Sequence, residues 1–468
     1  MNRKYFGTDG IRGQYGGPVI NEDFAARLGA AAGRWLKAQQ DFKGEAPIVM
    51  IGRDARFSGE ALERSLAGGL VSEGCIPVFL GVIPTPAVAL AVVNSATGGD
   101  GGAHITSKLG CALGVVVTAS HNPALDNGIK FFGANGRKLT DEQEADIEAA
   151  LPAAVPAAAR IFVERWPALA RFRPEARDDY VDRMDELLPV GALKGWKIVL
   201  DTANGATART SAEVLERFGA ELIRIGADPD GYNINAGVGS EHPEAMAAQV
   251  KAAGAKLGIA HDGDGDRCIL CDEQGAVLDG DEILTMLAVR ALQRGQLPLK
   301  TLVVTVHSNL GVDAAVKAAG GRVERTAVGD RYVIERMAQI GAALGGESSG
   351  HIIFSEVCAT GDGLVAAIKV LEVMAETGQP LSVLRQGLRK FPQASKAIPV
   401  KRKPPLRDLA QLTRVMAELE QELAGQGRLL VRYSGTEPKL RLLVEAPNDA
   451  VAAAALARLE SAVLADLG

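Results

Sequence analysis

At 468 residues the chain exceeds what one ordinary hydrophobic core supports, so about three or four domains are expected. Hydrophobic residues at 47 % and charged residues at 23 % exclude a disordered chain, and aromatics at only 4 % suit β-strands alternating with Ala-rich helices. A formal net charge of −6 argues against a general nucleic-acid binder, although a positive cleft for a phosphorylated ligand stays compatible with it.

The opening Met1-Asn2-Arg3-Lys4-Tyr5 runs straight into Phe6-Gly7-Thr8-Asp9-Gly10-Ile11-Arg12-Gly13 without an apolar leader core. No apolar run of about 18 residues follows, so neither secretion nor membrane insertion is expected. The Gly-rich opening loop presents Arg12, whose charge would suit a transferring phosphoryl group, unless Asp9 simply pairs with it. Five scattered cysteines (Cys75, Cys111, Cys268, Cys271, Cys358) suit a reducing cytoplasm. Cys268 and Cys271 lack a second ligand pair for zinc and read as small buried strand residues.

One pattern recurs three times: an apolar strand, a polar turn, a helical stretch and a second strand. Ile48-Val49-Met50-Ile51 turns through Gly52-Arg53-Asp54 and resumes at Pro77-Val78-Phe79-Leu80. Ile198-Val199-Leu200 turns through Asp201-Thr202-Ala203-Asn204-Gly205 and resumes at Glu221-Leu222-Ile223. Leu302-Val303-Val304-Thr305-Val306 turns through His307-Ser308-Asn309 and resumes at Arg322-Val323-Glu324. Starts separated by roughly 20 to 30 residues match a βαβ unit, so three related α/β domains with mixed sheets are expected. Gly98-Gly99-Asp100-Gly101-Gly102 reads as a flexible loop, and Pro152-Ala153-Ala154-Val155-Pro156 as a linker.

Inside the first unit, Val115-Val116-Val117-Thr118-Ala119-Ser120-His121-Asn122-Pro123 is a buried-type strand ending in a polar turn, where α/β folds place ligands. Ser120 would stand there with turn amides able to hold a phosphate; a plain Ser/Asn/Pro turn is the alternative. Asp262-Gly263-Asp264-Gly265-Asp266-Arg267 is more specific, because three alternating carboxylates on a tight turn converge on one hard cation. Asp262, Asp264, Asp266 and Glu273 also match positions of an EF-hand loop, but Arg267 occupies the place of its glycine and a strand-like segment precedes it.

Gly345-Gly346-Glu347-Ser348-Ser349-Gly350-His351 offers Glu347 and Ser349 for vicinal hydroxyls, with a capped loop as the alternative. A C-terminal region carries the basic run Lys401-Arg402-Lys403-Pro404-Pro405, a helix near 406–423, and strands near 428–432 and 440–445. It does not repeat the earlier unit and is expected to be a fourth, α+β domain. Its segment Arg432-Tyr433-Ser434-Gly435-Thr436-Glu437-Pro438, followed by Arg441, has the chemistry of a phosphate clamp; a Gly turn between strands is the bland reading. Domain boundaries are placed at 1–155, 156–258, 259–376 and 377–468, with the acidic loop at the second junction.

These five motifs occur in the order found in the α-D-phosphohexomutase superfamily, which the chain resembles over nearly its whole length. Lys4 to Gly13, Val328-Gly329-Asp330-Arg331-Tyr332 and Arg432 to Pro438 look most like its bacterial phosphoglucosamine mutase branch. The resemblance implies four domains around one central cleft, each giving one loop. It implies a phosphorylated Ser120, with Asp262, Asp264, Asp266 and a phosphoserine oxygen holding Mg2+. It implies sugar-hydroxyl contacts from Glu347 and Ser349, and a phosphate site from Arg432, Ser434, Gly435 and Thr436, with Arg441 following the clamp. Lys130 and His351 become the proton-transfer candidates, Lys130 first as the general base with a pKa lowered by neighbouring Arg and metal charge, and Arg12 and Arg267 lie beside the reacting phosphate.

The implied activity is interconversion of glucosamine 6-phosphate and glucosamine 1-phosphate through a bisphosphate that turns around in the cleft, with a hexose 1,6-bisphosphate as activator. Ser348 stands where that branch usually has Gln, which leaves phosphomannomutase or phosphoglucomutase as the alternative. A phosphoserine-type sugar phosphatase and a non-catalytic sugar-phosphate sensor are the rivals of other classes. The stretch from Pro86 to Val115 looks longer than the family pattern and reads as a surface insertion. The expected partner is a phosphorylated hexose, with no nucleic acid and no membrane; a homodimer is compatible with the sequence, which does not itself give the assembly.

Overall fold

The computed structural model describes residues 3–39, 46–96, 110–166, 168–434 and 438–467, and these form four sheets. The loop 98–102, and with it part of the long stretch after Pro86, lies outside the described residues, as do Gly435 and Thr436.

The first sheet has strands β1 (Ile11–Gln14), β2 (Ile48–Arg53), β3 (Ile76–Val82), β4 (Cys111–Val117) and β5 (Asp126–Gly133) in the order β1-β5-β4-β2-β3. β2 pairs in parallel with β3 and β4, whereas β5 runs antiparallel to β4 and β1. The second has β6 (Lys197–Asp201), β7 (Glu221–Ile225), β8 (Leu257–His261), β9 (Cys268–Asp272) and β10 (Val277–Leu278) in the order β10-β9-β8-β6-β7. The third has β11 (Thr301–Thr305), β12 (Arg322–Thr326), β13 (Leu344–Gly346) and β14 (Ile352–Phe354) in the order β12-β11-β13-β14. In each, the first strand of the repeat sits between two parallel partners, and the second of these hairpins back into an antiparallel strand.

This shared topology decides where the polar turns fall. The β4–β5 turn carries Ser120, the β8–β9 turn carries Asp262, Asp264 and Asp266, and the β13–β14 turn carries Glu347, Ser349 and His351. Three chemically unrelated loops therefore occupy one equivalent position in three copies of the same unit. The strands feeding them are buried and, His261 apart, apolar, β4 (CALGVVV) and β8 (LGIAH) being buried at every residue, as expected where both faces of a sheet are covered.

The fourth sheet is antiparallel, β15 (Gln393–Pro399), β16 (Arg428–Tyr433) and β17 (Lys439–Glu445) in the order β15-β17-β16. Its own core of Leu412, Leu419, Leu440, Val444 and Leu459 is separate from the one that joins Ile48, Ile198 and Leu302 of the first three units. β15 was not foreseen from the sequence: five of its seven residues are exposed or charged-edge positions (pattern eieeeBe) and it ends in Pro, so it lacks the alternation that marks a half-buried strand. The helix Asp449–Leu467 was likewise not anticipated.

The expected domain cut at 258 is corrected by the second sheet. β8 begins at Leu257 and pairs with β6, and β9 and β10 extend the same sheet to Leu278. The acidic turn thus joins two strands of the second unit and does not open the third. Cys268 and Cys271 both lie buried in β9, and all five cysteines are free. Among the described residues no helix is long and apolar enough to cross a membrane.

Candidate active site

Ser120 follows the buried end of β4 and takes φ = +53°, a left-handed conformation that a non-glycine residue holds only when its surroundings enforce it. Its backbone N–H donates to Thr118 Oγ1 at 2.8 Å, and its hydroxyl donates to Asp262 Oδ2 at 2.5 Å. His121 Nδ1 lies 3.3 Å from the same hydroxyl; burial, then Arg267 and Arg12, lower this imidazole to about 3, so it stays neutral.

Asp262, Asp264 and Asp266 are buried and each offers one oxygen within 4.8 Å of the others. Two glycines make the turn that allows this. Gly265 has φ = +74°, and a Cβ there would lie 2.3 Å from Thr207 Cγ2. A Cβ on Gly263 would meet the Ser120 carbonyl at 2.7 Å, so this glycine lets the two turns approach. Burial together with Asp266 and Asp264 pushes Asp262 well above the ordinary carboxylate range. Asp264 Oδ1 and Asp266 Oδ1 are buried with no hydrogen-bond partner. Orphaned, converging carboxylate oxygens fit a hard divalent cation with oxygen ligands, and these three residues could hold a metal ion.

Lys130, on β5, inserts among these acids, 3.0 Å from Asp264, 3.3 Å from Asp266 and 3.2 Å from Asp9. Burial works against its charge, yet Asp264, Asp9 and Asp266 hold it well above its usual value. The protein's own charges thus raise the Lys130 pKa, because carboxylates outnumber Arg12 around it; the lowering expected from the sequence counted a metal's charge as well. Asp9 is indeed paired with Arg12, and also with Lys138; against the cost of burial, Lys130, Lys138 and Arg12 keep it well below the usual carboxylate range. Arg12 reaches on to Asn122 Oδ1 at 3.4 Å, which ties the opening loop to the Ser120 turn.

His351 closes the network from the third unit, 3.6 Å from Asp266 and 3.2 Å from Asp330. Burial would lower its pKa, but Asp330 and Asp266 raise it to about 10. Lys138 Nζ bonds Asp330 at 2.5 Å. Arg267 pairs with Glu241 at 3.0 Å and is held charged against burial by Asp262 and Asp266. Glu347 accepts the Gly329 N–H at 3.0 Å beside Asp330, and burial, then Asp330, raise its pKa. Ser349 is half-buried in the same loop.

The clamp residues reach the third unit by a different route. Arg432 faces Arg441 across the β16–β17 pair and donates to His307 Nε2 at 3.2 and 3.0 Å. Burial, then Arg441, lower the Arg432 pKa. Ser434 is buried at the start of the turn. Ser120, the three aspartates, Lys130, Arg12 and His351 thus form one contiguous network, with Arg267 beside it. Arg432 is linked to His307 instead, with Arg441 opposite it on the neighbouring strand. Sequence reasoning missed Lys138, Asp330 as an ionic partner, and His307 as a partner of Arg432; Asp330 and His307 sat in segments already singled out for other reasons, and Lys138 in none.

Such an arrangement presents a hydroxyl against a cation-ready carboxylate cage, flanked by protonated Lys130 and His351 and by arginines suited to phosphate. Four family models match the chain: Phosphoglucomutase/phosphomannomutase alpha/beta/alpha domain I over residues 3–155, domain II over 178–275, domain III over 279–391, and the C-terminal domain over 396–462. Among curated relatives, the phosphoglucosamine mutase of Cereibacter sphaeroides is 43 % identical over 96 % of each chain, and that of Geobacillus kaustophilus 41 % identical over 99 % of each. A phosphoglucomutase/phosphomannomutase family protein from Burkholderia thailandensis superposes with a TM-score of 0.77 at 24 % identity, covering 98 % of this chain and 97 % of that one. An N-acetylphosphoglucosamine mutase from Aspergillus fumigatus, solved with GlcNAc-6P and magnesium, gives 0.60 at 18 % identity over 95 % and 99 %. These two likenesses speak to the fold alone.

Proposed function

The chain belongs to the phosphoglucomutase/phosphomannomutase family, and on that premise we propose that it is a phosphoglucosamine mutase interconverting glucosamine 6-phosphate and glucosamine 1-phosphate through phosphorylated Ser120. The observation that carries this reading is the Ser120 hydroxyl bonded to Asp262 at the edge of three buried, under-partnered aspartates. Full-length identity above 40 % to phosphoglucosamine mutases supports the sugar.

In the proposed reaction the P–O bond to Ser120 breaks as a bond forms to the free sugar hydroxyl, giving a hexosamine bisphosphate. The bisphosphate turns around, and its other phosphate returns to Ser120. Mg2+ held by Asp262, Asp264 and Asp266 would supply Lewis-acid neutralisation of the phosphoryl oxygens. Glu347 and Ser349 hold the sugar hydroxyls in either orientation. Arg432 with Ser434, Gly435, Thr436 and Arg441 binds whichever phosphate is not reacting, and Arg12 and Arg267 balance charge on the one that is. As the new bond forms, the sugar hydroxyl passes its proton to Lys130, which would have to be neutral beside the bound cation, while protonated His351 gives one to the departing Ser120 oxygen, and the two exchange roles when phosphate returns to Ser120. A hexose 1,6-bisphosphate would load Ser120 initially. We place the enzyme in the cytoplasm, in keeping with five unpaired cysteines.

Ser348 is the observation that favours a second reading, phosphomannomutase or phosphoglucomutase. An assay over glucosamine, glucose and mannose phosphates, with native mass spectrometry of the Ser120 peptide, tests both. Preference for the amino sugar by more than about tenfold, or 1.4 kcal/mol, is the expected result. An unphosphorylated Ser120 combined with an active Ser120→Ala variant would end the mutase reading.

A further inference from the structure

Arg56 is the largest side chain buried without measurable exposure, at 0 % for the side chain, and it contacts no element of the mechanism above except the turn that carries Ser120. Its five guanidinium N–H groups are all used. Nε donates to Asp54 Oδ2 at 2.9 Å, Nη1 donates to the Pro123 carbonyl and to the Asp126 carbonyl at 2.9 Å, and Nη2 donates to the carbonyls of Ser120 at 2.9 Å and Asn122 at 2.8 Å. Four backbone carbonyls of one turn thus converge on a single buried cation. Asp54 fixes that cation and accepts Thr118 Oγ1 at 2.6 Å, and the same Thr118 oxygen receives the Ser120 N–H.

A second group reaches the turn from the neighbouring unit. Asn235 Nδ2 donates to the Ser120 carbonyl at 2.8 Å and to the Asn122 carbonyl at 3.0 Å, the same two oxygens that Arg56 Nη2 holds. Asn235 is itself left-handed, with φ = +59°, and its N–H is anchored to the Ala203 carbonyl at 2.8 Å. The Ser120 turn is therefore gripped from both sides, by the first unit through Arg56 and by the second through Asn235.

We propose that Arg56 and Asn235 are positioning residues that hold the Ser120 turn in its left-handed form and so aim the hydroxyl at the Asp262 carboxylate. The argument is one of balance between strain and restraint. A serine in this backbone region relaxes toward extended conformations unless the peptide is over-determined, and the doubly held carbonyls of Ser120 and Asn122 supply that. A buried guanidinium is suited to the task because its planar fork serves several carbonyls at once, which an ammonium does not. Asn235 adds registration: it couples the aim of Ser120 to the unit that carries the acidic turn, so the hydroxyl and its carboxylate move together. This inference rests on Ser120 being the phosphate carrier.

Asn235→Gly and Asn235→Asp separate this from a structural role, with Arg56→Lys as the second site. Gly keeps the left-handed backbone and deletes the donor, whereas Asp keeps the shape and turns an acceptor toward two carbonyls. Phosphate loading of Ser120 from glucose 1,6-bisphosphate is followed by intact mass, alongside kcat, KM and thermal denaturation. Loading and kcat should fall about 10- to 100-fold in Asn235→Gly and further in Asn235→Asp, with KM within about twofold, because the sugar and phosphate contacts are untouched. Loading and kcat within about twofold of the parent in folded Asn235→Gly would overturn the proposal, and so would a loss that matches the unfolded fraction alone. Arg56→Lys is expected to follow the same pattern, and its failure to fold leaves Asn235→Gly to decide. A parent enzyme that never loads Ser120 overturns the carrier reading first, and the inference with it.

Discussion

Lys130 and Asp264 face each other at 3.0 Å in full burial, yet the second oxygen of Asp264 has no hydrogen-bond partner. Lys130 is shared among Asp9, Asp264 and Asp266, with Arg12, Lys138 and His351 around the same acids, and still burial, then Asp266 and Asp264, push Asp262 upward. A cation held by Asp262, Asp264 and Asp266 would stabilise the folded chain. Divalent ion at about 100 times its Kd should add about 2.7 kcal/mol, an expected rise of roughly 3 °C in thermal midpoint that a chelator reverses. Asp264→Asn should shrink the rise. Identical melting curves with Mg2+ and with chelator would contradict a cation site here.

Arg331 and Glu144 form a bidentate pair between the helix Asp330–Ile340 of the third unit and the helix Asp141–Ala149 of the first, at 2.9 and 2.6 Å. Both side chains are nearly inaccessible, so removing the cation leaves the buried carboxylate with Arg3 as its remaining ionic partner. Arg331→Met should cost about 3 to 5 kcal/mol in urea unfolding, and the double variant Arg331→Met with Glu144→Leu should recover most of it. A single-variant loss below about 1 kcal/mol would show that the pair does not hold the units together.

What could be read in the sequence followed from how local the chemistry is. Asp262, Asp264 and Asp266 declare themselves because the three ligands and the two glycines that aim them fit in one turn. The repeated βαβ spacing gave three related sheets because parallel pairing needs long crossovers whose apolar strands stand out. Lys138 and Asp330, 192 positions apart, carry no such mark, since their partnership exists only once the first and third units pack. The carboxylates that surround Lys130 were hidden for the same reason: Asp9 and the acidic turn reach it from distant sequence positions. Arg56 belongs to a turn recognised only as the end of a strand, and nothing in the order of residues reveals that its guanidinium serves the turn around Ser120.

Glu63 supplies a pH dependence remote from the reaction. It is 3 % exposed in the helix Gly59–Ser72, its Oε1 accepts Arg53 Nε at 3.2 Å, and its other oxygen has no partner. Burial, against the pull of Arg53, raises its pKa to about 7. Between about 4.5 and 7 the unfolded chain has released this proton while the folded chain retains it, so stability falls as pH rises through that window and is level above it. Glu63→Gln should remove that part of the decline, up to about 3 kcal/mol between pH 4.5 and 8. Parallel pH profiles for parent and variant in equilibrium unfolding would refute the assignment.

His307 is the acceptor that steadies Arg432 between the third unit and the fourth sheet. Accepting at Nε2 requires a neutral ring with its proton on Nδ1, an assignment made from the partners. Burial, then Arg432 and the nearby Arg441 and Arg428, lower its pKa to about 4. Its contribution to folding is therefore complete above about 6.5 and is lost as pH falls toward 4. Because the ring stays neutral through the working range, KM for the sugar phosphate should show no break from this group between about pH 5.5 and 8. His307→Phe, which fills the space but accepts nothing, should raise KM about three- to tenfold by freeing the guanidinium, with kcat within about twofold. A break in KM near pH 6.5 that disappears in His307→Phe would mean that the imidazole titrates normally and that Arg432 is held by something else.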